Sequence, residues 1–403
     1  MSHTATVGTV AAEGDEGMIL PDYRGGSIVN LMASISRGLG APRIGIPEAR
    51  LLPAHQIGRA RHVVLLMLDG LGYEYLAGHR DALLRQHLLG ELTSVFPSAT
   101  AIAVTSFATG LTPRQHGVTG WHMYLEELGR VCTILPFRDR VTRESIAEVD
   151  PDAVRVLEQP PLANLLDAET HLVMPAEIAD STYNLATGGL AWRHGVADLA
   201  DYVDTVAGLV QSAGGRQYIY AYWPRLDSLA HQYGMASTEV QAHFAALDAA
   251  FDELRRELAG TDTLLLVTAD HGLIDITPDG VLEVADHPAL EETLALPICG
   301  EPRAAYCYVR PGREEDFLNY VQGPLAGWCD VHTPGELLQA GWLGPGPAHP
   351  RLSGRLGDYV LVMRDNRVIH QRLSGDEPFS QIGVHGGTSG AEMRVPLMAA
   401  HCV

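Results

Sequence analysis

Short, uniformly apolar runs alternate along this chain with segments whose apolar residues return every three or four positions. The run "HVVLLMLDGLG" at 62–72 ends in Asp-Gly, as a buried strand does when its C-terminal end opens into a loop. "LTSVF" reads as a second strand, closed by Pro97. "RQYIYAYW" at 216–223 and "TLLLVTADHG" at 263–272 read as a third and a fourth, the last again carrying an acid at its C-terminal end. From Ala101 the small and apolar residues "AIAVTSFATG" predict a buried helix stopped by Gly110 and Pro113. "EVQAHFAALDAAFDELRRELAG" at 239–260 has helical spacing and stops at Gly260. Strands alternating with helices predict an α/β fold, a doubly wound, mostly parallel sheet sandwiched by helices.

Two regions break this rhythm. Residues 130–200 are mixed in pattern and assign no clear elements. Further on, "AAYCYVR", "REEDFLNYV" and "DYVLVMRDNRVIH" read as strand, helix and hairpin, around the Pro/Gly-rich loop "GWLGPGPAHPRLSG". The expected organisation is a catalytic core over 1–275, a small inserted α+β cap over 276–380, and a return to the core over 381–403.

Composition narrows the function classes. Among 403 residues, 28 basic against 49 acidic side chains give a net charge of −21, which opposes binding to nucleic-acid polymers and anionic membranes. A small phosphorylated substrate stays compatible if a metal ion supplies local positive charge. The five cysteines are scattered and form no CxxC pair, so reduced thiols are expected. The first twenty residues lack a basic segment followed by an apolar run, and no apolar run reaches membrane length, so a cytoplasmic protein is expected. There is no Walker loop and no GxGxxG.

Open α/β sheets bind ligands outside the carboxyl ends of their strands. Asp69, Asp227 and the pair Asp270–His271 all fall at such ends, and His231 follows Asp227 by one helical turn. Carboxylate and imidazole donors without thiolate suit a catalytic metal site. Each acid alone reads as an ordinary turn or cap residue; four such features at predicted strand ends read as a site. The stretch "TSVFPSATAIAVTSFATG" at 93–110 adds seven hydroxyl groups. Thr100 stands where the chain enters the helix, and a helix N-terminus favours negative charge on an attacking or phosphoryl oxygen. Ser98 and Thr100 also fit as simple N-caps.

In order, "LMLDGLG", "SATAIAVTSFATGLTPRQHG", "LDSLAHQYG", "TADHG" and "GVHGGTSGAEMRVPLM" resemble the alkaline phosphatase superfamily, within it the bacterial type I phosphodiesterase/nucleotide pyrophosphatase group. The resemblance spans 62–398 but matches nothing in the cap. It implies two divalent metal ions, zinc first with manganese or iron as alternatives. Asp69, Asp270, His271 and Thr100 would hold one; Asp227, His231 and His385 would hold the other. In that group the nucleophile lies ten residues before the glycine closing its helix, which from Gly110 is Thr100. The implied reaction is phosphodiester hydrolysis through a phosphothreonine. Phosphomonoester or phosphonate hydrolysis at the same site, a metal-dependent phosphomutase, and a non-catalytic binding module are the alternatives.

One departure concerns the substrate. Diesterases of this group usually carry an Asn about five residues after the His of an "HG" pair, where it binds a phosphoryl oxygen; "HGVTGWHMY" has Trp121 there. Thr119, His122, Arg225 or a backbone amide would then take that oxygen, while Trp121 also fits core packing and Arg225 a surface ion pair. His116 of the "HG" pair reads as structural.

Overall fold

The computed structural model describes residues 18–42 and 45–403, so the N-terminal stretch read for a leader lies almost wholly outside the described residues. A seven-stranded sheet forms the centre. From edge to edge it runs Leu88–Thr93, Arg394–Cys402, Thr263–Thr268, His62–Leu68, Gln217–Trp223, Glu169–Pro175 and Trp192–Val196. All strands are parallel except Arg394–Cys402, which runs against both of its neighbours. Every residue of His62–Leu68 and Thr263–Thr268 is buried, as central parallel strands covered on both faces require.

The helices form because their ends and faces agree. In Leu199–Gln211 the Asp198 side chain accepts the Asp201 N–H, and in Thr238–Glu257 the Ser237 side chain accepts that of Val240. Val240, Phe244, Leu247, Phe251 and Leu254 then bury one face of the longer helix, at the three- and four-residue spacing read in the sequence. No helix among the described residues is long and apolar enough to cross a membrane.

A second seven-stranded sheet, entirely antiparallel, runs Cys329–His332, Tyr359–Met363, Ala304–Cys307, Cys299–Glu301, His122–Leu125, Arg130–Thr133 and Arg138–Asp139. Its last three strands come from 122–139, ahead of the segment 276–380 expected to form the cap. The unplaced region 130–200 thus supplies two strands of this sheet and, in the central one, the edge strand Trp192–Val196 and its neighbour Glu169–Pro175. The expected hairpin at "DYVLVMRDNRVIH" does not form. Tyr359–Met363 pairs within the antiparallel sheet, whereas Val368–His370 leaves it to pair in parallel with Val281–Glu283.

Candidate active site

The site lies at the C-terminal ends of the parallel strands, because each strand hands its chain directly to a site residue. Asp69 follows His62–Leu68, and Asp270–His271 follow Thr263–Thr268. Asp227 and His231 sit one turn apart on Arg225–Tyr233, the helix after Gln217–Trp223, with Asp227 Oδ2 3.2 Å from His231 Nε2. His385 arrives from the far end of the chain, its Nε2 3.8 Å from Asp227 Oδ1. His271 Nε2 lies 3.4 Å from Asp69 Oδ1 and 3.5 Å from Asp270 Oδ2, and the His271 and His385 rings stack at 3.7 Å. Asp69, Asp270 and His271 offer donor atoms within 4.8 Å of one another, and so do Asp227, His271 and His385. His271 therefore belongs to both groups, while His231 joins the second through Asp227.

Backbone carbonyls fix the three imidazoles. Nδ1 of His231 meets Gly383 O at 2.7 Å, Nδ1 of His271 meets Gly272 O at 3.1 Å, and Nδ1 of His385 meets Ser98 O at 3.3 Å. Each Nδ1 is thereby the donor, which leaves each Nε2 lone pair directed at the carboxylates. Close packing makes this possible. A Cβ on Gly272 would stand 2.0 Å from Ala391 O, so only glycine lets the two site loops touch.

Three carboxylates share this buried space, and one oxygen of each, Asp69 Oδ1, Asp227 Oδ1 and Asp270 Oδ2, has no hydrogen-bond partner. Burial, with the Asp270 and Asp227 charges beside it, raises the Asp69 carboxyl well above its usual range. Burial also pushes Asp227 upward, but the facing His231, His385 and His271 outweigh it and hold that carboxyl below its usual range. Burial and the neighbouring His271 drive His385 well below the usual imidazole value. Unpartnered buried oxygens facing imidazole lone pairs are costly without a cation and match the donor set of one.

The seven hydroxyls of 93–110 separate cleanly. Thr93 accepts from the Asp22 amide at 2.8 Å, and Ser94 donates to Asp270 O. Ser98 donates to Gly387 O at 2.7 Å, so it does not cap the helix. Thr105 and Thr109 bond back to Ala101 O and Thr105 O at 2.6 Å, and Ser106 meets His116 Nε2 at 3.1 Å. Thr100 alone of the seven lines the cavity, as the first residue of Thr100–Thr109, with its Oγ1 3.1 Å from His271 Nε2. The N-cap is Ala99, which has no side chain to satisfy the free amides of the first turn.

That cavity encloses about 1210 Å³ between the two sheets. Trp121 and His122 line it. Thr119 does not: it is fully buried and donates its hydroxyl to Arg355 O at 3.0 Å. Arg225 is exposed and lies outside the lining. Two lining residues had no motif to flag them. Tyr222 donates its hydroxyl to Asp69 Oδ2 at 2.5 Å, and its signal was only its place two residues before the Pro that opens the Asp227 helix. Glu301 accepts the Trp121 amide at 2.7 Å and comes from the antiparallel sheet, far away in sequence.

The chain matches no curated protein sequence. Among solved structures it is similar to murine ectonucleotide pyrophosphatase/phosphodiesterase 5, an inactive form in complex with AMP. The TM-score is 0.64 at 17% identity, over 84% of this chain and 88% of that one. It is also similar to phosphonoacetate hydrolase from Sinorhizobium meliloti in complex with phosphonoformate, with a TM-score of 0.58 at 20% identity, over 85% of this chain and 90% of that one. At such identities the likeness establishes the alkaline phosphatase-like fold. The family model described as type I phosphodiesterase/nucleotide pyrophosphatase matches residues 63–388. That match begins in the strand leading to Asp69 and ends beyond His385, and the chain therefore belongs to the type I phosphodiesterase/nucleotide pyrophosphatase family of metal-dependent hydrolytic enzymes.

Proposed function

We propose that this protein hydrolyses small phosphodiesters at a dinuclear metal centre, with Thr100 as the nucleophile. The observation that carries the reading is the isolation of Thr100. It is the single hydroxyl of its stretch open to the cavity, and it meets His271 Nε2, which itself faces the buried Asp69 and Asp270 oxygens that lack partners. Asp69, Asp270 and His271 would hold one ion next to Thr100, and Asp227, His231 and His385 the other, zinc being the ion this donor set suits. Bound there, the cations would neutralise the carboxylates and supply Lewis-acid stabilisation of developing oxygen charge.

The chain's own groups do the remainder. Thr100 Oγ1 gives up its proton and forms a bond to phosphorus as the ester oxygen departs in line, and the departing oxygen takes up one proton to leave as the alcohol, so the step balances. Water then cleaves the phosphothreonine, restoring the hydroxyl and releasing a phosphomonoester. The free amides at the start of Thr100–Thr109 favour negative charge at that oxygen. Phe107, Tyr220 and Phe379 line the cavity and give it apolar surface that suits an apolar or aromatic leaving group.

The test is turnover of a chromogenic diester by zinc-loaded wild type and Thr100→Ala, with acid quench to trap the phosphorylated protein. Loss of turnover and of trapped phosphate in the variant supports the reading. Wild-type turnover in Thr100→Ala with metals bound would sink it.

A further inference from the structure

His122 opens the strand His122–Leu125 of the antiparallel sheet, and the strand register fixes its neighbours. It stands directly opposite Thr133 on one side and Gly300 on the other, and Thr133 in turn stands opposite Arg138. Residues opposite one another on adjacent strands share a face. His122, Gly300 and Arg138 all line the cavity that holds Thr100, so this face looks into it. Gly300 has φ +82°, and a Cβ there would collide with Ala304 O, so its bare backbone leaves the imidazole uncovered on that side.

The two ring nitrogens differ. Nδ1 lies 3.0 Å from Thr133 Oγ1, whereas Nε2 has no partner among the described residues and is not sealed from the cavity. Which nitrogen carries the proton follows from matching donors to acceptors. Were Nδ1–H to donate, the Thr133 hydroxyl proton would be left without an acceptor, for Oγ1 makes no other hydrogen bond among the described residues. With the hydroxyl donating to Nδ1, both groups are satisfied and the ring proton sits on Nε2.

We propose that His122 is a substrate-contacting residue whose Nε2–H donates a hydrogen bond to a non-bridging phosphoryl oxygen of the bound phosphodiester, and that Thr133 is the positioning residue that keeps the proton on Nε2. The inference rests on the phosphoester reading above. The non-bridging oxygens carry the negative charge of a diester, which makes them stronger acceptors than either ester oxygen. A donor held on a strand of the sheet is also placed before substrate arrives, so it is not ordered at the expense of binding.

The donor is a matter of tautomer rather than of charge. Burial, with the Arg140 guanidinium and His370 beside it, holds the His122 imidazole down at about 3 against the opposing pull of Asp376, so the ring is neutral at pH 7. A neutral ring has one N–H, and the Thr133 hydroxyl decides which nitrogen bears it.

The experiment uses the zinc-loaded full chain with two probes, bis-p-nitrophenyl phosphate and p-nitrophenyl phenylphosphonate. The second keeps the non-bridging oxygens but lacks the second ester oxygen. His122→Ala should lower kcat/KM by about 100-fold on both, the effect of losing one donor to a transition-state oxygen. His122→Gln, whose amide N–H can take the place of Nε2–H, should recover part of that loss. Thr133→Val should cost about fivefold, the worth of one neutral hydrogen bond, and Thr133→Ser should restore it. Nitrogen-15 NMR of histidine-labelled protein, with the His122 signals identified by their absence from His122→Gln, should show the proton on Nε2 in wild type and a share of it on Nδ1 in Thr133→Val. A wild-type His122 protonated on Nδ1, equal activity in wild type and His122→Ala, or a loss confined to the diester each overturns the proposal. Should the alanine variant fail to fold, the wild-type tautomer and the Gln variant's loss on the two probes test it without that variant. Wild-type turnover in Thr133→Val overturns the role given to Thr133. Absence of any diester turnover by the wild type would instead refute the parent reading.

Discussion

Arg303 crosses from the antiparallel sheet to Glu392 and closes a buried two-point ion pair, Nε to Oε1 at 3.0 Å and Nη2 to Oε2 at 2.9 Å. Glu392 also accepts the Gly387 amide at 2.8 Å and the Ser389 hydroxyl at 2.7 Å, so the pair fixes the loop that carries His385. Burial works against the Glu392 charge, but the Arg303 guanidinium outweighs it and holds that carboxyl below its usual range. Arg303→Met strands a buried carboxylate and should destabilise the fold by about 3–5 kcal/mol. Arg303→Met with Glu392→Met should recover part of that, since two apolar side chains replace a pair rather than orphan one partner. Urea denaturation of the single and double variants measures both. A double variant less stable than the single would show that the pair contributes more than the avoidance of a lone buried charge.

Tyr222 donates to Asp69 Oδ2 and leaves Oδ1 free, which sets the direction of the carboxylate. Tyr222→Phe keeps the ring and its packing but releases that orientation. Partners of this kind are worth about 10–100-fold in metal affinity. Competition with a chromogenic zinc chelator should therefore show about tenfold weaker binding in the variant. Unchanged affinity would mean that packing alone orients Asp69.

The parts of this molecule that were legible in the sequence share a physical cause. His62–Leu68 and Thr263–Thr268 are buried on both faces, so their residues are apolar without interruption and their ends are marked by the acids that follow. The place of Thr100 at the start of its helix was legible because Pro97 closes the strand before it and Gly110 closes the helix after it. The last two strands at one side of the sheet, Glu169–Pro175 and Trp192–Val196, were not: exposed residues such as Glu169 and Trp192 blur their pattern. Glu301 was illegible for a different reason. Its environment is made by Trp121, Gly386 and His231, which only the tertiary fold assembles, and an isolated glutamate reads as surface. The same holds for Val368–His370, where residues that look like a hairpin arm find a distant partner strand instead.

Three buried carboxylates with unpartnered oxygens predict a protein that is weaker without metal. A ligand bound only by the folded state stabilises it by about 2.7 kcal/mol at a hundredfold excess over Kd. Chelator should lower Tm and zinc should restore it. In the chelated protein Asp270→Asn should be neutral or stabilising, because it removes one of the mutually repelling charges. In the zinc-loaded protein the same change should remove most turnover. Differential scanning calorimetry with and without zinc separates these outcomes, and an Asp270→Asn variant that melts lower than wild type in chelator would contradict the charge argument.

Asp376 clamps the loop that covers one side of the cavity. Its Oδ2 meets Arg140 Nη2 and its Oδ1 meets Arg143 Nη2, each at 2.6 Å, while Glu377 and Phe379 beyond it line the cavity wall. Partial burial pushes this carboxyl upward, but the hydrogen bonds from Arg140, the Leu373 amide and Arg143 outweigh it and hold it below its usual range. A depressed carboxyl contributes fully above its unfolded value of about 3.9 and loses that contribution as pH falls through the lower folded value. The clamp should thus persist at pH 4, where unpaired carboxylates titrate, and open only in stronger acid. Hydrogen exchange over 373–381, corrected for intrinsic rates, should show equal protection at pH 7 and pH 4 in wild type. Asp376→Asn should exchange faster at both and raise KM for the diester, with kcat changed little, because the loop lines the cavity wall and carries none of the proposed metal ligands. Protection lost by the wild type between pH 6 and pH 4 would rule out the two arginines as the source of its low value.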